Sequence, residues 1–546
     1  MSRAFTPAWL AGEPIATSFL GRGFAEPEAR AAAVLAARAR PIEPAVFAAI
    51  AAQEALRPAS PTRAANLELL RQGAAVVVTG QQVGLFLGPL YTLHKAASAV
   101  VDARELTAAT GHPVVPVFWL QTEDHDFAEV QSTTVPSASG LTTLQVGDEL
   151  AAAAGDTVRD ARVSLSERRL GPSIATALAA ASLTGPHAEA VTALLSRHYR
   201  ADASWADAFA NTLAELFQDH GLIVFDPRAA ACKADLARLA APLHAFSLRH
   251  AEAIHRTLAE RSEALTQAGF EVQVPLREGA ALSCYATACE APRHRLARAR
   301  GDTWTTKDLA TTGKTLDSGA IETALAEAPE RFTTTALLRP LLQDTLLPTV
   351  AYIGGPGELA YFAQLAPLYA LAGRAMPLAV PRARLTLVTA TARRLGEQLG
   401  LGVHEAGLPK AELAQKMARE QADFAPIEAH HRDLTAALEA GLSALGKEAD
   451  TRGDSGFGKH AKKAHEVVSA TLDRLLDRSR RLALESDATT SERLTRFVSL
   501  LAPNEAPQER VLAFVSFAAQ VGAKALVDTI VASITPFDGT PKVIDL

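Results

Sequence analysis

The chain reads as an α/β protein built around a parallel sheet, and three segments carry that reading. In each, an apolar run feeds a turn and then a helical pattern: Val76 to Val78 into Thr79-Gly80-Gln81-Gln82-Val83-Gly84, Val114 to Leu120 into Gln121-Thr122-Glu123-Asp124-His125-Asp126, and Leu346 to Ile353 into Gly354-Gly355-Pro356-Gly357. Continuous apolar runs, as opposed to alternating ones, mark strands buried on both faces, as in parallel sheets flanked by helices. Strand-turn-helix units repeated along a chain build such sheets.

The first unit follows a helical N-terminal portion. Gly80, Gly84 and Gly88 let a backbone approach a bound group closely, and a helix starting near Pro89 or Tyr91 directs free N–H groups at an anion. His94 and Lys95 add a polar and a cationic group. The spacing matches neither the P-loop nor G-x-G-x-x-G, so the expectation is a phosphate or carboxylate site of another kind. Gln81 and Gln82 are costly to bury unless hydrogen-bonded, which argues against a turn that only relieves sterics.

In the second unit Glu123, Asp124 and Asp126 crowd around His125. Three carboxylates that close ionise together only when a cation, ammonium or metal sits among them. Carboxyl ends of strands line the ligand crevice of open α/β sheets, so this acidic loop and the glycine loop are expected to face one cleft. A solvated acidic turn is the plainer alternative, and nothing in the spacing fixes a metal's ligand geometry.

The third unit carries Arg339, Gln343 and Asp344 before its strand, and Gly354, Gly355 and Gly357 after it. Those glycines suit unusual φ angles or a close ligand, and Glu358 and Tyr361 share one helix face. Arg339 is a candidate carboxylate clamp because its planar fork binds both oxygens, with a structural Arg339–Asp344 ion pair as the alternative.

Between these units the chain is expected to be less ordered from Pro136 to about Ser182. Leu222 to Phe225 reads as another buried strand, with Asp226 and Arg228 either joining the cleft or pairing at the surface. Helices are expected from Ala229 to about Gly269 and a β-rich stretch from Glu271 to Thr306, with a turn at Arg300-Gly301-Asp302. From Pro381 to about Pro503 the pattern is helical throughout. Ile427, His431, Leu434, Leu438, Leu442 and Leu445 recur at three- or four-residue steps, as do Phe457, Ala461, Ala464, Val468, Leu472, Leu475 and Leu482 beyond the Gly453-to-Gly458 break. Two antiparallel helices are implied. The segment from about residue 504 is expected to pack back on the core.

Composition bounds function. A chain of 546 residues holds more than one structural unit, and 48% apolar with 21% charged residues is a soluble globular balance. A net charge of −6 argues against general nucleic-acid affinity. Neither a signal-peptide core nor a twenty-residue apolar span is expected, which makes the cytoplasm the default and a membrane role unexpected. Cys232, Cys284 and Cys289 are too few for a disulfide framework. No tightly bound metal is expected, since Cys284 and Cys289 lack a second pair at persuasive spacing.

Taken together, the blocks resemble the BshC family, the cysteine ligase of bacillithiol biosynthesis. The resemblance lies in T-G-Q-Q-V-G-L-F-x-G-P-L-Y-T-x-H-K from Thr79 to Lys95, in P-V-F-W and E-D-H-D-F between Pro116 and Phe127, in the long block from Leu337 to Leu365, and in Pro507 to Arg510. It implies a Rossmann-like parallel-sheet core over residues 1–380 with inserted connecting segments at about 137–330. It further implies a helical coiled-coil domain over 381–503 that forms a homodimer, and relationship of the core to nucleotidyltransferases and class I aminoacyl-tRNA synthetases. The implied reaction adds cysteine to the amino group of glucosaminyl malate, giving bacillithiol.

That reaction needs an activated acyl group and a neutral amine. His125, held by Asp124 or Asp126, is the expected proton acceptor, and Glu123 attracts the sugar ammonium. Lys95 and Arg339 are expected to hold malate carboxylates, and Thr79, Gln81 and Gln82 to orient the acceptor. Gly80, Gly88, Tyr91, His94, Gln343, Asp344, Gly355, Gly357, Glu358 and Tyr361 complete the expected substrate-binding set. ATP with Mg²⁺ would fit the fold relationship, yet neither an H-I-G-H-like nor a K-M-S-K-S-like motif is present, and Leu93-His94-Lys95 is at most a remnant of the first. A nucleotide bound elsewhere remains an option. Two rival classes are a metal-dependent hydrolase acting on an amide through the acidic loop, and a non-catalytic nucleotide-binding assembly protein.

Overall fold

The computed structural model describes residues 2–546 apart from 125, 138–139, 148–163, 288–292, 300–302, 307–308, 311–312, 410–411, 414–415, 418–424, 454–455 and 487. The chain divides into two compact units, one of residues 1–135, 143–385 and 512–542, the other of 136–142, 386–511 and 543–546.

The first unit is organised by five strands: β1 (Ala75–Gln81), β2 (Val114–Leu120), β3 (Ile223–Phe225), β4 (Thr349–Gly354) and β5 (Leu378–Pro381). All neighbours pair in parallel, in the order β5-β4-β1-β2-β3. In register, Val78 lies between Tyr352 and Val117. Valines dominate β1 because their branched side chains suit a pleated surface, and both faces are covered, so the run is buried from Ala75 to Gly80. The chain leaves β1 toward β2 and β3 and later returns to β4 and β5 on the opposite side. That reversal between β1 and β4 is a topological switch point, where a crevice opens beyond the strand ends.

Helix α1 (Tyr91–Thr110) connects β1 to β2 and stops at Gly111, whose φ of +68° is the left-handed cap that glycine accepts at least cost. It packs against the helix Ala523–Ser533, so the segment 512–542 belongs to this unit. The short helix α2 (Arg339–Leu346) enters β4, and α3 (Pro356–Leu371) leaves it, with Pro356 preset for the first helical turn.

The insertion between β3 and β4 contains helices Lys233–Arg249 and Ala251–Gln267 and a second sheet. The strands of that sheet run in the order Phe332–Thr334, Ala280–Ala286, Arg293–Arg298, Thr303–Thr305, Leu316–Asp317, and each described pair is antiparallel. Tyr285, Leu296, Trp304 and Phe332 form part of its own apolar core. The Arg300-Gly301-Asp302 turn lies outside the described residues.

Two expectations change here. Of the stretch from Pro136 to about Ser182, residues 138–139 and 148–163 lie outside the described residues, and the described part is more regular than expected, with a strand at Gly140–Gln145 and a helix at Ser173–Ala180. The region from Pro381 is not helical throughout. A strand, Arg384–Val388, comes first, because Leu385 and Leu387 bury alternate positions.

In the second unit, helices Ala425–Thr451 and Phe457–Ser486 form a hairpin. Gly453, at φ +82°, turns the chain between them. His431 reaches Asp473 across the hairpin at 3.1 Å. Val388, Leu395, Leu399, Leu494 and Phe497 make a separate small core. Among the described residues no single helix is long and apolar enough to cross a membrane.

Candidate functional site

At the switch point a buried polar network joins β1, α1, α2, β4 and α3. Lys95 stands one turn into α1 and is 3% exposed. Its ammonium donates to Gly80 O (2.8 Å) and Gln81 Oε1 (2.9 Å) at the end of β1 and forms an ion pair with Glu358. Glu358 in turn accepts from the Tyr352 hydroxyl (2.6 Å) and the Gly355 N–H (2.8 Å). Arg339 Nη2 donates to the hydroxyls of Tyr361 and Tyr352, and its guanidinium lies 5.4 Å from the Tyr352 ring centroid. Tyr91 accepts from Gln81 (3.2 Å), and Arg382 lies over its ring at 5.6 Å.

The electrostatics of this network follow from burial and charge count. Burial pushes the Lys95 ammonium down; Glu358 opposes that, while Arg382 and Arg339 add to it. Glu358 is held below its ordinary range, because Lys95, Tyr352 and Gly355 outweigh the cost of burial. Burial also works against Arg339, but Tyr352, Tyr361 and Glu358 more than offset it and raise the guanidinium further. His94 is fully buried, and burial followed by Arg382 keeps it far below 6.5, hence neutral. Neither of its ring nitrogens, nor Arg339 Nη1, nor Gln343 Oε1, has a partner among the described residues.

The acidic loop follows β2 and divides its groups. Glu123 Oε2 accepts from the Thr334 N–H (3.2 Å) and hydroxyl (2.6 Å), on the edge strand of the inserted sheet. Asp124 Oδ2 accepts from Gln82 Nε2 (2.6 Å), which also reaches Glu129 (2.9 Å). Asp124 Oδ1 accepts from the Asp126 N–H at 3.2 Å, and Asp126 is exposed. His125 lies outside the described residues. Among the described residues no three His, Cys, Asp or Glu side chains converge as a metal-ligand set. The surface pairing offered for Asp226 and Arg228 is not what is observed. Both are buried, and Asp226 accepts from the Thr122 hydroxyl and the Arg228 N–H.

Several expected residues sit where local packing explains them. The Thr79 hydroxyl donates to Ile353 O at 3.0 Å and ties β1 to β4. A Cβ on Gly80 would lie 2.9 Å from Trp119 O, and one on Gly84 would lie 3.1 Å from Gly88 Cα, so the protein's own backbone fills those spaces. Gly88 has φ +65° and needs to be glycine for its backbone. Gly354, Gly355 and Gly357 do not take positive φ, which removes the first of the two readings given for them, and Gly355 leaves room for Glu358, whose Oε2 would be 3.4 Å from an added Cβ. The N–H of Leu90, at the start of α1, is given to Leu512 O, so that helix end is partly occupied. Asp344 accepts from the Tyr369 hydroxyl rather than pairing with Arg339, because five residues along a helix place two side chains on different faces.

Four residues of the polar clusters were not picked out from the sequence. Arg382 follows the end of β5, and the strand-end rule itself pointed there. Thr334, Ser283 and His244 carried no local signal, since only tertiary apposition brings them beside Glu123. His244 Nδ1 lies 2.9 Å from Ser283 Oγ, and burial pushes the imidazole from 6.5 down to about 4, with Glu123 opposing. The unfolded chain therefore binds more protons than the folded one between those values. The associated stability is complete above about pH 6.5 and is lost as pH falls toward about 4. His244→Gln should flatten the pH dependence of unfolding over that window by on the order of 3 kcal/mol, and an unaltered slope in urea titrations would contradict the assignment.

The family model "Bacillithiol biosynthesis BshC, N-terminal Rossmann-like domain" matches residues 5–383, and "Bacillithiol biosynthesis BshC, C-terminal coiled-coil domain" matches residues 385–546. The chain belongs to the BshC family. Similar BshC proteins carry the name "Putative cysteine ligase BshC". That of Koribacter versatilis is 34% identical over 87% of this chain and 84% of the relative. Those of Salinibacter ruber (33%, 72% and 69%) and Solibacter usitatus (31%, 86% and 84%) are comparable. BshC membership accounts for the Rossmann-like parallel sheet and the helical C-terminal region together. A structure of Mycobacterium tuberculosis methionyl-tRNA synthetase in complex with methionyl-adenylate aligns over 84% of this chain and 91% of that one at 11% identity and a TM-score of 0.22, too weak a likeness to bear on chemistry.

Proposed function

We propose that this chain is a cytoplasmic ligase that joins the carboxyl of cysteine to the amino group of glucosaminyl malate, forming bacillithiol. Family membership supports the reaction class. The observation that carries the substrate reading is Arg339, 9% exposed, whose Nη1 is buried without a hydrogen-bond partner among the described residues, while Lys95 beside it is paired with Glu358. A buried guanidinium N–H left open in this way favours an anionic ligand, and malate brings two carboxylates. In this reading those carboxylates lie toward Arg339 and Lys95, Gln81 and Gln82 orient the acceptor, Glu123 meets the sugar ammonium, and His125 takes its proton.

ATP and Mg²⁺ are the proposed source of acyl activation, but the glycine turns do not fit a nucleotide's phosphates. The N–H groups of Leu90 and Gly355 are already used, and the spaces beside Gly80 and Gly84 are filled.

Calorimetric titration of glucosaminyl malate tests the acceptor site. Arg339→Gln should weaken binding by about 10- to 100-fold, the worth of one charged hydrogen bond. Unchanged affinity would remove Arg339 from the site. We further propose that the chain self-associates through the helical hairpin, where Leu434, Leu445, Val467 and Leu475 are exposed. Light scattering should show a dimer, and a monomer across a wide concentration range would remove that part of the reading.

A further inference from the structure

Glu123 is anchored through one oxygen only. Its Oε2 takes both donors of Thr334, while Oε1 has no hydrogen-bond partner among the described residues and the side chain is half-buried. Thr334 lies directly opposite Ser283 in the antiparallel pairing of the inserted sheet. Both residues are buried, and Ser283 Oγ meets His244 Nδ1 at 2.9 Å. His244 is 1% exposed and tilts against the Phe332 ring at a centroid distance of 5.8 Å, which fixes the imidazole in place. One rung of the inserted sheet thus brings Thr334, which holds the Glu123 carboxylate of the loop after β2, opposite Ser283 and its His244 contact. A carboxylate with one oxygen fixed and the other presented is suited to receive a cationic N–H donor, and fixing it beforehand lowers the entropic cost of binding.

We propose that Thr334 is a positioning residue that holds Glu123 with Oε1 presented to a primary ammonium, and that the Ser283–His244 pair supports Thr334 from the facing strand. This deepens the acceptor-site reading above and rests on it for the identity of the amine. The role falls to the inserted sheet, so the insertion sets specificity for an amine-bearing sugar as well as covering the core. The carboxylate acts by charge and orientation, and no bond to it forms or breaks.

The test is a calorimetric comparison of glucosaminyl malate with its N-acetylated counterpart, at a pH where the sugar amine is protonated. The full chain should bind the amine form at least ~10-fold more tightly, the scale of a charge-assisted hydrogen bond. Thr334→Val keeps the volume and the backbone N–H but loses the hydroxyl, and it should abolish most of that preference; Thr334→Ser should retain it. Glu123→Gln should lose it too, which decides the matter if Thr334→Val fails to fold by circular dichroism. A purely structural role for Thr334 would lower the melting temperature without moving the amine-to-N-acetyl ratio. No preference in the unmodified chain, or a preference kept by both Thr334→Val and Glu123→Gln, overturns the proposal. An intact preference without any amide product would instead defeat the ligase reading and leave this one standing.

Discussion

Glu358→Gln should destabilise the chain by about 3–5 kcal/mol, because it removes the carboxylate that pairs with the buried Lys95 ammonium. The ion pair lies deep enough for this range to apply, with Lys95 at 3% and Glu358 at 18% side-chain exposure. The same substitution disturbs the bonds that Tyr352 and Gly355 make to the carboxylate, loosening the junction of β4 and α3. A double substitution, Lys95→Met with Glu358→Gln, removes the stranded charge. It should cost clearly less than the sum of the two single changes, since neighbours in one network are not additive. Urea denaturation of the four proteins measures this. Additive costs within about 0.5 kcal/mol would show that the pair does not organise the crevice.

The second large effect is expected on turnover. His125→Ala should lower kcat by about 10²- to 10⁴-fold with little change in KM for the sugar, the usual worth of a general base. The amine must lose a proton to attack an acyl carbon, and the two residues that precede His125 in the sequence are each held by a neighbouring element. Asp124 is tied to Gln82 of the glycine loop, and Glu123 to Thr334 of the inserted sheet. If kcat is unchanged, another group takes the proton; if only KM rises, His125 binds without acting as a base.

Much of the central fold was legible in the sequence because its strands are buried on both faces. Val76 to Val78 and Val114 to Leu120 have no alternation to blur the pattern, and the turn after each marks where the chain must stop. The place of Lys95, Tyr91 and Glu358 at one crevice was legible for the same reason, since strand ends in a parallel sheet gather their loops. The glycines were harder to interpret. Gly80 and Gly84 look like ligand contacts in sequence, yet an added Cβ would meet Trp119 O or Gly88 Cα. Close packing of a loop on itself and close approach of a ligand call for the same residue. Thr334, Ser283 and His244 were out of reach because nothing in their local sequence states that an inserted sheet will lie against Glu123. The strand Arg384–Val388 was masked by the long helical pattern beyond it.

The ligation itself is the most direct test of the account. Purified protein would be incubated with glucosaminyl malate, cysteine and Mg²⁺, with ATP or without nucleotide, and products followed by mass spectrometry. The account predicts an amide with the mass of the two substrates less one water, formed when ATP is present and lost in His125→Ala. A chain that binds glucosaminyl malate but yields no such amide with ATP would contradict it.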